Sequence, residues 1–374
     1  MSEIIINAVG DISLGDHPAC VGFGVYSKLK NKEKDFPFVK IKPLLKQADI
    51  VFGNLECALF DNKTTTHNLS SLQMKGEREC VYGLVESGFT MLNVANNHTM
   101  QHGEEPFLKT VKLLKENYIN VCGVESDKFI SIEKRGIKVG FLGYSMRPRQ
   151  YFNKQPLYCE ATPDKIYRNI QTFKTQVSSL IVSLHWGDEF IEKPSPEEIK
   201  WARTMIDCGA NLILGHHPHV LRGIESYKNG VIVYSLGNFV CDMIWEERTR
   251  ESMILKCIIN KDGVVDFRII PVFINNDFQP TPCDTILKDK ITEKINRLSR
   301  ELEQEKLINF SNKLEHYISE REIHLQTHRK NTHSYFIKNI FRYKPKILFE
   351  EIYGAILRRI QTLTHTNDKS KLYL

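Results

Sequence analysis

No uninterrupted apolar run in the 374 residues reaches the roughly 18–20 residues that cross a bilayer. The start of the chain also lacks a basic segment, apolar run and small-residue cleavage site in series. Glu3 and Asn7 interrupt the one early candidate, Ile4-Ile5-Ile6. The expectation is a cytoplasmic chain, at most peripheral to the inner face of a membrane. Cysteine is present but unpatterned. The nine residues (Cys20, Cys57, Cys80, Cys122, Cys159, Cys208, Cys241, Cys257, Cys283) are scattered, odd in number and never spaced as CxxC. That argues against a disulfide scaffold or a zinc knuckle, and for free thiols in a reducing compartment. An excess of one charge is missing too. The 51 Lys and Arg against 45 Asp and Glu leave +6, too little to mark a nucleic-acid binder.

What the chain does have is a series of apolar strands that end in chemistry. Glu3 to Val9 leads into Gly10-Asp11. Ala48 to Phe52 leads into Gly53-Asn54-Leu55-Glu56, and Thr90 to Val94 into Ala95-Asn96-Asn97-His98. Ser179 to Leu184 delivers His185-Trp186-Gly187-Asp188-Glu189. Leu212 to Leu214 delivers Gly215-His216-His217-Pro218-His219. Gly215 lets the backbone turn at the strand end, and Pro218 stiffens the segment between two histidines. In an extended segment His217 and His219 point to the same side. Each motif has a plain structural explanation: Asp11 suits a turn, and Asn97 suits the cap of a helix over Glu104 to Glu116. The accumulation outweighs them. Ligands of open α/β sheets bind beyond the carboxyl ends of strands, and histidine, carboxylate and amide converging there suit a one- or two-metal hydrolytic site. Glu56 or Asp11 can supply a bridging oxygen.

The remaining pattern predicts helices over Phe38 to Gln47, Glu79 to Glu86 and Ile199 to Cys208. It predicts strands over Ile119 to Val124, Lys138 to Leu142 and Val231 to Leu236. A hairpin joins Ser252–Ile259 to Val264–Pro271 through Lys261-Asp262-Gly263. Residues 16–36 and Thr64 to Ser71 read as polar loops.

Six stretches in order resemble the CapA family, the poly-γ-glutamate capsule biosynthesis group. They are Gly10-Asp11-Ile12, Gly53-Asn54-Leu55-Glu56, Ala95-Asn96-Asn97-His98, His185-Trp186-Gly187-x-Glu189, Gly215-x-His217-Pro218-His219 and Ser235-Leu236-Gly237-Asn238-Phe239. That family is itself similar to the calcineurin-like metallophosphoesterases. The resemblance covers roughly residues 3 to 275 and implies an α/β fold, a four-layer αββα sandwich, over residues 1–283. Residues 284–374 then form a helical, basic-amphipathic extension. It also implies two divalent metal ions (Mn, Fe or Zn) held by Asp11, Asn54, Glu56, Asn97, His185, His217 and His219. Glu56 stands one residue closer in spacing than the related bridging aspartate. His98 resembles the histidine that faces the phosphoryl oxygen. His216 sits where the motif is open, so it is expected in a supporting or surface position. The family's aspartate three residues after that histidine is replaced by Gln101, followed by His102 and Gly103.

The implied activity is phosphoester hydrolysis by a metal-activated water in capsule, exopolysaccharide or poly-γ-glutamate synthesis. A catalytically weak assembly component of the capsule machinery is the other reading. The substrate is expected to be anionic, phosphate-containing or polyglutamate-like, with Lys75, Arg147 and Arg149 as its contacts. No nucleic-acid partner is expected. Toward the C-terminus, Ile291, Ile295, Leu298 and Leu302 repeat at helical spacing. Tyr335 to Lys346 then interleaves basic, aromatic and aliphatic residues, and Ile347 to Ile360 carries Arg358 and Arg359. These suit either a helical cap on the domain or docking on an anionic membrane surface. Residues after Thr364 are expected to fray.

Overall fold

Along the strand Ile4–Ile12 successive side chains enter different cores. Ile4, Ile6 and Ala8 join one buried apolar cluster, and Val9 and Ile12 join another, because a strand presents alternate residues to opposite faces. The computed structural model describes residues 2–30, 32–61, 68–151, 154–303 and 310–364. Asn7 shares the outward direction, although it is polar and buried. Its amide donates to Leu44 O at 3.1 Å and Leu45 O at 3.3 Å, carbonyls in the last turn of helix Lys42–Leu45.

The first sheet runs Pro280–Pro282, Gly263–Ile274, Glu251–Asn260, Ile4–Ile12, Ile50–Leu55, Met91–Asn93, Asn120–Cys122. Asn238–Val240 pairs beside the end of Ile4–Ile12. The second sheet runs Ile224–Tyr227, Gly230–Val233, Leu212–His216, Ser179–His185, Ile137–Ser145, Phe129–Lys134. Their inner faces form one cluster, with Ile6, Ile50 and Phe52 of the first meeting Val139, Phe141 and Leu212 of the second. Phe52 and Phe141 stack at 6.0 Å. Outside, Phe107 and Leu114 of helix Glu104–Glu116 are buried, as are Ile166 and Ile170 of Pro163–Phe173 and Ile199 and Met205 of Pro196–Asp207. The last of these helices starts at a capping box, Ser195 and Glu198 exchanging bonds around Pro196. The result is the expected α/β sandwich of two facing sheets flanked by helices. All nine cysteines are free thiols.

Several elements differ from the sequence reading. The strands outrun their apolar cores: Asp11 lies inside Ile4–Ile12 and pairs with Asn54, itself inside Ile50–Leu55. The strand read as Val231 to Leu236 is Gly230–Val233, and the helix read as Phe38 to Gln47 contracts to Lys42–Leu45. Phe129–Lys134 and Pro163–Phe173 are further elements that the sequence reading did not assign. The loop read at 16–36 contains helix Val25–Leu29. In the loop read over Thr64 to Ser71, residues 64–67 lie outside the described ones, and Leu69–Leu72 is a helical turn capped by Asn68.

Helix Thr285–Glu303 seals one end of the sandwich. Ile291 and Ile295 belong to the cluster between the sheets, and Leu298 and Leu302 are also buried. Ile224 N donates to Ser299 Oγ at 2.9 Å, and Lys294 bridges Glu192 and Glu251 at 2.5 Å each. The longer helix Phe310–Lys338 follows, then Pro345–Thr364. Residues after Thr364 lie outside the described ones. Among the described residues no helix is long and apolar enough to cross a membrane.

At Gly223 the sealing helix packs tightly against the start of strand Ile224–Tyr227. A Cβ there would lie 2.6 Å from Leu302 Cδ1 and 2.8 Å from the Leu298 carbonyl. Gly223→Ala should therefore lose about 1–3 kcal/mol of unfolding free energy in chemical denaturation. A loss below about 0.5 kcal/mol, typical of a neutral surface change, would show that the helix is not held at this contact.

Candidate metal centre

Asp11, at the end of its strand and 2% exposed, touches both sheets. Its Oδ1 accepts from Asn54 Nδ2 at 2.8 Å, and its Oδ2 accepts from the backbone N–H of His217 at 3.1 Å. His216 Nδ1 and His219 Nδ1 lie 3.3 and 3.5 Å from its oxygens. Burial would raise this carboxyl's pKa, but the rings of His216, His219 and His185 outweigh it and hold the group below the usual carboxylate range.

The other predicted residues gather around it. Glu56, His217 and His219 offer ligand atoms that all lie within 4.8 Å of one another. Glu56 Oε1 and both ring nitrogens of His217 are buried without a hydrogen-bond partner. His185 Nε2 lies 2.8 Å from Asn97 Oδ1 and 3.4 Å from Glu56 Oε1, and its ring is 4.6 Å from that of His217. Burial, followed by the charges of Asp11 and Glu189, pushes the Glu56 carboxyl well above its ordinary range. Burial pushes His185 and His217 well below theirs, so their rings are neutral. Each buried polar atom left unsatisfied costs about 1–3 kcal/mol. Neutral imidazoles and a carboxyl group whose ligand atoms lie this close together fit a divalent cation, which turns that cost into bonds.

The loop that carries the histidines departs from expectation. Gly215 does not make the turn; it lies inside Leu212–His216, where a Cβ would fall 2.2 Å from Tyr234 O. The turn is made by His217 and His219 themselves, at φ 93° and 57°. Left-handed backbone at non-glycine residues is strained, and such strain gathers at functional sites. His219 is then fixed by Asn238. Asn238 Nδ2 donates to Thr249 O at 2.9 Å and to His219 O at 3.3 Å, so its oxygen faces His219 Nδ1 at 2.9 Å. That leaves His219 Nε2 as the ring's lone pair. Asn238 stood in a recognisable motif, but no spacing rule revealed its partner.

The structure places three further groups of the expected residues. The side-chain oxygen of Asn54 is engaged by other amides. That oxygen accepts from Asn93 Nδ2 at 3.0 Å and Asn96 Nδ2 at 3.3 Å, while its N–H faces Asp11. His216, expected in a supporting or surface position, is fully buried beside Asp11, its Nδ1 3.3 Å from Asp11 Oδ1. Lys75, Arg147 and Arg149 are engaged elsewhere. Lys75 lies over the Phe60 ring, Arg147 donates to Gly187 O at 2.6 Å, and Arg149 pairs with Glu160 at 2.5 Å.

A cavity of about 350 Å³ opens over the cluster, and its described lining includes none of those three cations. Asp11, Glu56, His98 and His219 form its floor, and His328 and Arg329 of helix Phe310–Lys338 form part of its wall. His98 is oriented from behind, its Nδ1 2.8 Å from Gln101 Oε1. Gln101 thus takes the place of the missing aspartate as a neutral partner. The helix is pinned by His328 Nδ1 at 2.7 Å from Glu246 and by Tyr317 Oη donating to Asp188 at 2.9 Å. Its contribution could not be read from residues so far along the chain from the strand-end motifs.

Two facing sheets with this cluster at their strand ends define an α/β sandwich with a candidate metal centre. Comparison with known proteins narrows the class. The family model described as bacterial capsule synthesis protein PGA_cap matches residues 5–243. The capsule biosynthesis protein CapA of Bacillus anthracis is 31% identical over 315 residues, 80% of this chain and 73% of that protein. The PGA biosynthesis protein CapA of Bacillus subtilis (strain 168) is 31% identical over 325 residues, 84% and 81% of the two chains. Among solved structures, a phosphatase from Mycoplasma pneumoniae aligns over 83% of this chain and 99% of its own, at 11% identity and TM-score 0.47. The 5'-nucleotidase from Candida albicans aligns over 80% and 58%, at 13% identity and TM-score 0.43. The chain belongs to the PGA_cap capsule synthesis family.

Asp242, in the cavity wall, yields a test of the site's electrostatics. Its Oδ2 accepts from His17 N at 3.0 Å and Val25 N at 3.3 Å, while Oδ1 has no partner. Burial, then the charge of Asp16, pushes its carboxyl up to about 7. A carboxyl raised on folding favours the folded state in acid, and that contribution is lost as pH rises from the ordinary value of 3.8 through about 7. Asp242→Asn removes this dependence. Relative to the native chain, the variant should gain on the order of 2–3 kcal/mol between pH 5 and pH 8, read from denaturation midpoints. Parallel pH profiles for the two chains would contradict the assignment.

Proposed function

We propose that this chain is a metal-dependent hydrolase of the phosphoesterase kind, serving capsule or poly-γ-glutamate synthesis. The observation that carries the reading is the set of orphaned, buried ligand atoms of Glu56 and His217 beneath an open cavity. In this reading Asp11, Glu56, Asn97, His185, His217 and His219 hold two divalent cations of the manganese, iron or zinc type. Asn54 serves them indirectly, by orienting Asp11. Such ions, when bound, lower the pKa of a water and polarise a phosphoryl oxygen. The protein's own part is positional. Asn238 sets the tautomer of His219. Asn93 and Asn96 hold Asn54 and so Asp11. His98, held by Gln101, faces the cavity where it can hydrogen-bond a leaving group or a non-bridging oxygen.

The roles separate by mutation. His217→Ala should lose bound metal and turnover of bis(p-nitrophenyl) phosphate while keeping its circular dichroism spectrum. His98→Ala should keep the metal and lose about 10²–10⁴-fold in kcat, the usual contribution of a positioned acid or base. A native protein that binds no metal and hydrolyses neither this diester nor p-nitrophenyl phosphate with added manganese would remove the hydrolase reading. The assembly-component reading would then stand in its place.

A second element of the proposal concerns location. Phe341 and Phe349 are 82% and 69% exposed, and the exposed cations Lys338, Arg342, Lys344 and Lys346 lie in the same segment. Aromatic side chains flanked by cations support docking on an anionic membrane surface. The full chain should float with vesicles containing phosphatidylglycerol and not with pure phosphatidylcholine. The double variant Phe341→Ser/Phe349→Ser should stay at the bottom of the gradient. Equal flotation of variant and native chain would contradict docking through this segment.

A further inference from the structure

The cavity over the metal centre continues outward. A second hollow of about 780 Å³ adjoins it, and the two share His17, Pro18, Tyr151, His328 and Arg329 in their walls. The character changes across that boundary. The inner floor is carboxylate and imidazole; the outer walls include Leu69, Phe336, Ile352 and Ile356. Ile352 and Ile356 remain 42% and 52% exposed, so apolar surface lines this hollow uncovered by the described chain. An apolar hollow continuous with a polar reaction centre fits a ligand with one polar and one apolar end.

The charge at the junction points the same way. Along helix Phe310–Lys338 three other groups facing the domain are committed. Arg321 is 3.0 Å from Asp188, His328 is 2.7 Å from Glu246, and His324 lies 3.0 Å from Arg248. Arg329, between the two chambers, makes no hydrogen bond or ion pair among the described residues. The pinned helix presents it there. A guanidinium offers paired N–H groups in the geometry that a phosphate accepts.

We propose that the outer hollow binds the apolar chain of an amphiphilic phosphate, and that Arg329 grips the phosphate where the hollow meets the metal centre. This deepens the phosphoester reading above and rests on it for the identity of the polar end. A polyanionic chain suits the hollow less. Past Arg329 its charged groups would lie against Leu69, Phe336, Ile352 and Ile356, which cannot replace the water they lose. An acyl chain and a branched isoprenoid chain share the required chemistry, and the test separates them.

The probes are non-hydrolysable: butyl-, octyl- and dodecylphosphonate, used below micelle formation, and an isoprenyl phosphonate of matched carbon count. Titration calorimetry on the full chain reads the affinities. Kd should fall about two- to fourfold per added methylene until the hollow is filled. Phe336→Ser and Ile352→Ser should flatten that series, and Phe341→Ser, outside the hollow, should not. Arg329→Ala should weaken every member alike and leave the slope. A stronger isoprenyl than straight-chain ligand identifies the branched source, and the reverse order the acyl one. Equal Kd for all chain lengths would overturn the proposal, as would a series that survives both serine variants. Displacement of octylphosphonate by a γ-linked oligoglutamate with no chain-length effect would overturn it in favour of a polyanion. Failure here is distinct from failure of the hydrolase reading. Diester turnover without a chain-length series leaves that reading standing and this one fallen. A chain-length series without turnover does the reverse.

Discussion

Asp11 is the point on which the two sheets close. Its carboxylate hangs from the first strand of one sheet and accepts the backbone N–H of His217, which follows the last residue of a strand in the other. A buried carboxylate has to be bonded on both oxygens, since an unpaired one costs several kcal/mol. Asn54 satisfies the second oxygen. Meeting that requirement fixes the loop His217–His219 against the first sheet. The same requirement places the left-handed turn at His217 and His219 directly over the carboxylate.

Around Asp11 the support is built from neutral amides. Asn93 and Asn96 donate to Asn54, Asn97 faces His185, and Asn238 faces His219. Amides can orient a carboxylate and imidazoles without adding charge, so Asp11 and Glu56 are the buried acidic side chains placed beside the ligand-type histidines among the described residues. That balance suits a centre proposed to receive both cations and an anionic substrate. It also explains why so many asparagines sit at strand ends here: they are the fixed scaffold of the site, and only some are candidates for direct ligation.

The fold and the rough position of the site were legible because they rest on local pattern. Apolar runs marked strands, and polar groups after them marked the carboxyl edge of a sheet. What stayed hidden depended on partners distant in sequence. The direction of the Asn54 amide is decided by Asn93 and Asn96, about 40 residues away and themselves fixed by backbone contacts. His216 could not be placed because its burial follows from Phe52 and Asp11 on the opposite sheet. The partners of Lys75, Arg147 and Arg149 were not legible because a cation's sequence position does not reveal which carbonyl, carboxylate or ring will claim it. Arg329 lies on a helix whose hydrophobic pattern says little, and its role is set by where the helix lands.

The C-terminal helices change the meaning of the domain. Thr285–Glu303 completes the core, and Phe310–Lys338 completes the cavity. The family-matched region, residues 5–243, thus holds the cluster but not the whole wall above it. The central claim is that the buried cluster exists to bind divalent cations. Anomalous diffraction from manganese-loaded crystals tests it most directly. The account predicts strong anomalous density bounded by Glu56, His217 and His219. Ordered side chains around featureless density there, with manganese bound elsewhere or not at all, would contradict it.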